Sequence, residues 1–220
     1  MSGRVLVLRP APGASATAQL ASTLGLSATV APLSEVVPEP WSAPDPARFD
    51  AVLIGSANAL RHAGAALQDL RALPALVVGG ATARAARKAG FAIAATGEGG
   101  LQNLLDSVAQ QGGKQRLLRL AGASHVPLEP APGQTIETRI VYRVAHGELS
   151  QAAVAALRDG AVALLHSGDA ASHFARECDR LGLDRSAVRL AALAPRVAEA
   201  AGAGWQAIGF APPPVGGAVL

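Results

Sequence analysis

The chain has 220 residues and a mass of 22.0 kDa, enough for one large domain or two small ones; half of it is hydrophobic, 3% aromatic and 16% charged. With a mean hydropathy of +0.29 this composition excludes a disordered chain, and Gly, Pro, Arg or Asp interrupts every apolar run before the ~20 residues a spanning helix needs. Net charge is +3 and the pI is about 9.7 because 17 of the 19 basic residues are arginine; without basic runs or stacking aromatics, an anionic small ligand fits better than nucleic acid.

Short apolar runs alternate with alanine-rich helical stretches; alanine accounts for 50 residues. The first run, VLVL (5–8), is too short for a secretory signal and reads as a strand, followed by a helix capped by Ser15 and ending at Gly25. FDAVLI (49–54) reads as a buried strand, with Ser56 capping a helix that carries Leu60 and Leu67. ALVVG (75–79) is a strand before a helix opened by Thr82 and stopped by Gly90. FAIAAT (91–96), LLRLA (117–121), VALLH (162–166) and VRLAAL (188–193) continue the pattern. Alternation with short loops predicts an α/β protein of parallel sheets flanked by helices.

Two segments depart from this rhythm. PLSEVVPEPW (32–41) is extended and flanked by prolines, and QTIETRIVYRVA (134–145) alternates with period two. They read as a pair of linker strands between two domains; the alternative is that both are edge strands of one sheet. LIGSANAL (53–60) matches LLHSGDAA (164–171), GGATARAARKAG (79–90) matches LAPRVAEAAGAG (193–204), and GEGGLQNLL (97–105) matches PPPVGGAVL (212–220). This internal repeat predicts two similar α/β domains facing a cleft: residues 1–34 with 146–220, and residues 38–140, joined by linker strands at 35–37 and 141–145.

Phosphate-binding P-loop and dinucleotide fingerprints are absent, and neither Ser56 nor Ser167 has the glycine two residues earlier that a nucleophile elbow requires. The lone cysteine, Cys178, and five scattered histidines offer no metal-ligand pattern, so no metal is expected; the cysteine count also points to a reducing, cytoplasmic compartment. What remains are helix N-termini at Ser56–Ala57, Gly80–Thr82 and Ser167–Gly168, whose unpaired amides and positive dipole ends receive anions. Arg9, at the exit of the first strand, is expected at the same kind of edge. Tyr142, the only tyrosine, is either a strand-packing aromatic or a phenol that donates a proton; His166 and His173 read as ordinary strand and helix residues.

Over essentially its whole length the chain resembles the uroporphyrinogen-III synthase family. The matching segments are VLVLRPAPG (5–13), FDAVLIGSANAL (49–60), GGATARAARKAGF (79–91), IETRIVYRVA (136–145) and GAVALLHSGDAA (160–171). The resemblance implies two related α/β domains on a two-stranded linker. It also implies closure of the linear tetrapyrrole hydroxymethylbilane to uroporphyrinogen III, with loss of water and inversion of ring D, in a hydro-lyase reaction of heme biosynthesis. No cofactor is implied, because the pyrroles supply the electrons. The family's linker-strand tyrosine, thought to help the hydroxyl leave, maps to Tyr142. The substrate-binding set implied is Arg9, Ser56, Ala57, Gly80, Thr82, Ser167, Gly168 and Arg196. The chain departs from the family pattern at Gly55, Ala121, His166 and Val197, and Arg119 or Arg196 would compensate. A monomer is expected, with no nucleic-acid or membrane partner and at most transient contact with the preceding enzyme. The competing reading is a non-catalytic two-domain module that binds an anionic small molecule.

Overall fold

The computed structural model describes residues 3–110 and 112–210. The proposed repeat segment 212–220 lies outside them. The chain divides into two compact units, residues 1–35 with 145–220, and residues 36–144.

In chain order the elements begin with β1 (Arg4–Val7), α1 (Gly13–Thr23) and β2 (Ser27–Val30). The next strand, β3 (Ser34–Pro38), contains the passage into the second unit. That unit continues with β4 (Ala51–Ile54), α2 (Ala57–His62), β5 (Ala75–Val78), α3 (Gly80–Lys88), β6 (Ile93–Gly97), α4 (Leu101–Ala109), β7 (Gln115–Gly122) and β8 (Gln134–His146). The chain returns within β8 and ends its described course as α5 (Gln151–Arg158), β9 (Val162–Leu165), α6 (Gly168–Arg180), β10 (Arg189–Ala192), α7 (Pro195–Ala201) and β11 (Ala207–Phe210).

The first unit is built on a five-stranded parallel sheet ordered β11-β10-β9-β1-β2. Leu6, Leu8, Leu165 and Leu190 pack with Ala153 and Leu157 of α5, Phe174 and Cys178 of α6, and Val197 of α7. Phe174 is wholly buried and stacks on Trp205, with ring centroids 5.6 Å apart. A wholly buried Phe stabilises a core by roughly 3–5 kcal/mol relative to Ala.

The second unit has a six-stranded sheet ordered β3-β8-β7-β4-β5-β6, and the β8-β7-β4-β5-β6 pairings are parallel. Successive residues of a strand face opposite sides. In β4, Val52 and Ile54 join Ala59, Leu60, Ala83 and Ala86 on one side, while Ala51 and Leu53 join Leu104 and Leu105 of α4 on the other. This two-sided burial is why the run AVLI carries no polar residue. β3 and β8 are the outermost pair, and the Glu39 amide donates to the Val141 carbonyl at 3.1 Å.

Three helix expectations need correction. Ser15 is not a cap: α1 opens at Gly13 after Pro12, and Ser15 lies exposed inside it. The helix expected to carry both Leu60 and Leu67 breaks after His62, because Gly64 takes φ +66°; a 3-10 turn over Ala65–Leu70 then buries Leu67 and Leu70. Thr82 does not open its helix. Gly79, at φ +78°, lets the chain turn sharply, and α3 begins at Gly80. Among the described residues no helix is long and apolar enough to cross a membrane.

Candidate functional site

In a parallel sheet every strand ends at the same edge, and the helices that follow begin there. Each unit therefore has one edge rich in helix N-termini. In the first unit the Ser167 Oγ accepts from the Ala170 amide at 3.2 Å, so Ser167 caps α6 and leaves the amides of the first turn, starting with Gly168, without intrahelical partners. Gly168 is tight against α7, where an added Cβ would meet that of Ala200 at 3.3 Å. Asp169 in the same first turn pairs with His146 at 3.0 Å. The Arg9 guanidinium lies across Gly13 at the start of α1, close enough that any Cβ there would overlap it.

Arg9 also acts on His166. The imidazole is half-buried, and its Nδ1 has no hydrogen-bond partner among the described residues. Burial lowers its pKa first and the Arg9 charge lowers it further, so the ring stays neutral below the ordinary histidine range. With Leu164, Leu165, Leu193 and Phe210, His166 lines an apolar depression of about 350 Å³ at the ends of β9–β11. The sequence offered no sign of this, because a histidine ending an apolar strand looks like any strand terminus. Arg196 is exposed in the first turn of α7 and is not brought into this depression. Val197, its neighbour, is 2% exposed and part of the core, which accounts for an apolar residue there.

In the second unit the Ser56 Oγ accepts from the Asn58 amide at 3.2 Å and caps α2; Ala57 follows, buried. Gly55 just before it is a packing glycine, since an added Cβ would stand 2.6 Å from Leu101 Cδ1 at the start of α4. The α3 terminus differs from the expectation. Thr82 is buried, its side chain does not cap α3, and its amide already donates to the Gly79 carbonyl at 3.1 Å. Gly80 is exposed there, with Arg84 Nη1 about one contact distance, 3.4 Å, from where its Cβ would be.

Tyr142 is half-buried on β8 and packs on the α2–α3 side of the core. The register between β7 and β8 shifts between Ala121 and Gly122, so Tyr142 pairs with Gly122. The ring covers that glycine: an added Cβ would lie 2.6 Å from Tyr142 Cζ and 2.9 Å from its hydroxyl. His62, at the end of α2, is tilted against the phenol with ring centroids 6.4 Å apart. Burial, then the Arg61 charge, lowers the His62 pKa as well. Gly122 and His62 were not singled out in the sequence, and only the pairing register could have revealed them.

With this geometry in place, known proteins supply the context. The family described as Uroporphyrinogen-III synthase HemD matches residues 15–218. The chain belongs to the uroporphyrinogen-III synthase family. It is thus an enzyme of tetrapyrrole biosynthesis, as the match across nearly its whole length shows. No curated protein matches this family member in sequence. A mutant uroporphyrinogen III synthase from the extremely thermophilic bacterium Thermus thermophilus is similar in structure, at a TM-score of 0.50 and 19% identity, covering 94% of this chain and 92% of that one. A second Thermus thermophilus uroporphyrinogen III synthase structure aligns at a TM-score of 0.41 and 20% identity, covering 94% and 93%. The first of these supports the mixed α/β fold with two mostly parallel sheets.

Proposed function

We propose that this family member catalyses closure of hydroxymethylbilane to uroporphyrinogen III as a hydro-lyase, with Tyr142 as the proton donor. The single observation that carries the reading is the family match over residues 15–218. The substrate's acetate and propionate groups suit arginines and the helix N-terminal amides left without intrahelical partners, which supports Arg9 and Gly168 in one unit, and Ala57 and Gly80 in the other, as receptors.

The reaction begins when the C–O bond of the hydroxymethyl group on ring A breaks. The phenol of Tyr142 gives its proton to the departing oxygen, which leaves as water. The pyrrole nitrogen's electrons form the azafulvene, so no external oxidant or reductant enters. Ring D then attacks through its substituted carbon. The spiro intermediate fragments and recombines inverted, and the proton lost on aromatisation restores the phenol.

Incubation with enzymatically generated hydroxymethylbilane tests the proposal. Uncatalysed closure yields the type I isomer, so type III product is expected from the protein and type I alone would overturn the reading. Tyr142→Phe keeps the ring but removes the donor. A loss of about 10²-fold in kcat is expected, near the lower end for general-acid assistance, with KM little changed.

A further inference from the structure

Arg119 sits in the middle of β7, between Leu53 of β4 and Thr138 of β8 in the sheet register. It is 5% exposed, the only arginine among the buried residues described. Its Nε is fully enclosed and has no hydrogen-bond partner among the described residues. Burial pulls its pKa down and only the Tyr142 phenol opposes this, with no carboxylate among the groups that act on it. Arg116 near the start of β7 and Arg48 in the turn before β4 are different. Arg116 pairs with Asp50 at 2.8 Å and Arg48 with Glu137 at 2.8 Å, both largely in solvent.

Enclosing a guanidinium Nε without an acceptor carries a desolvation cost, and a chain under no functional demand would place an apolar residue there. This guanidinium, with its Nε enclosed and unpaired, stands on the strand whose Gly122 seats Tyr142, three residues further along. We infer that Arg119 is a carboxylate receptor inside the second unit, holding one acidic side chain of the substrate in a bidentate pair. This deepens the proposed synthase function and rests on it for the identity of the substrate. The pair forms only when ligand arrives: the carboxylate supplies the acceptor that the enclosed Nε lacks and a second one for the fork.

The test is a binding titration that needs no turnover, with uroporphyrin III, a stable octacarboxylate, as the probe. The whole unmodified protein is compared with Arg119→Met and Arg119→Lys at fixed ionic strength. Arg119→Met is expected to weaken probe binding about ten- to hundredfold, the range for losing hydrogen bonds to a charged group. Its melting temperature should hold or rise, because the uncompensated charge is gone. Arg119→Lys, which keeps charge but not the fork, should fall between. Unchanged binding in a folded Met variant overturns the inference, as does failure of the unmodified protein to bind the probe. If the Met variant does not fold, the Lys variant decides: weakened binding supports the receptor and wild-type binding sinks it. The two proposals fail separately. Type III product with a KM unaltered by Arg119→Met leaves the synthase standing without this receptor. Arg119-dependent binding of uroporphyrin without type III product leaves the receptor without the synthase.

Discussion

Replacing Gly122 with Ala probes the phenol without touching it. The added Cβ would stand 2.6 Å from Tyr142 Cζ, 2.7 Å from Cε2 and 2.9 Å from the hydroxyl. Carbon atoms rest comfortably at about 3.5–4.0 Å, so the ring must move by roughly 1 Å. Gly122 is not among the glycines at positive φ, so the backbone accepts alanine and the clash with the ring is the whole perturbation. Overpacking costs ~1–3 kcal/mol, and the stiffer unfolded chain returns ~0.4–1 kcal/mol, leaving a net loss of about 0–2.6 kcal/mol. A misplacement of ~1 Å at a reacting group can cost ~10²-fold in rate. Gly122→Ala should therefore lose about as much kcat as Tyr142→Phe while staying folded at assay temperature. The two changes should not add: a double variant is expected to be no worse than the poorer single one, because both act through the same proton donor. Chromatographic separation of type III from type I product, with melting curves on all four proteins, reads this directly. Full activity in Gly122→Ala would refute the claim that phenol position matters. Multiplied losses in the double variant would show that Gly122 acts by some other route.

Two further predictions follow from titrating groups in the first unit. Glu177 accepts from Arg180 Nε and Nη2 and from the Leu149 amide, and the Arg180 hydrogen bonds, chiefly, hold its carboxyl at about 2 against an ordinary 4.5. A depressed carboxylate stabilises the fold above about 4.5, and this contribution is lost as pH falls from there towards 2. Because Arg180 is itself half-exposed, the contribution is on the order of 1–3 kcal/mol, and Glu177→Gln should flatten acid denaturation across that window while lowering stability at pH 7. A variant whose acid profile parallels that of the unmodified protein would refute this. Cys178 is wholly buried, and burial pushes its thiol up to about 12. It should therefore resist a disulfide-exchange reagent at pH 8 until denaturant is added; stoichiometric labelling of the native protein would contradict the buried placement.

Periodicity in the chain determined the α/β class, since apolar runs of strand length alternate with alanine-rich helical stretches. Runs such as AVLI are buried on both faces of a sheet, a demand that leaves its mark on every residue of the segment. The strand-serine-helix signature at 53–60 and 164–171 was equally readable, because a cap is a local bond between a side chain and an amide two or three residues away. The edge strands β2 and β11 were not recognised: SATV and AIGF are partly exposed and carry too little apolar pattern to stand out. Nor did local pattern show that Gly64 splits a helix, that Thr82 turns inward, or that Gly122 lies under a phenol. Those outcomes depend on which residues meet across a sheet, and the one-residue shift between β7 and β8 that brings Tyr142 over Gly122 has no signature in either strand alone. Arg119 makes the same point. The resemblance offered it, with Arg196, only as a residue that would compensate for the departures from the family pattern, and only assembly of the strands on either side encloses its Nε without a partner.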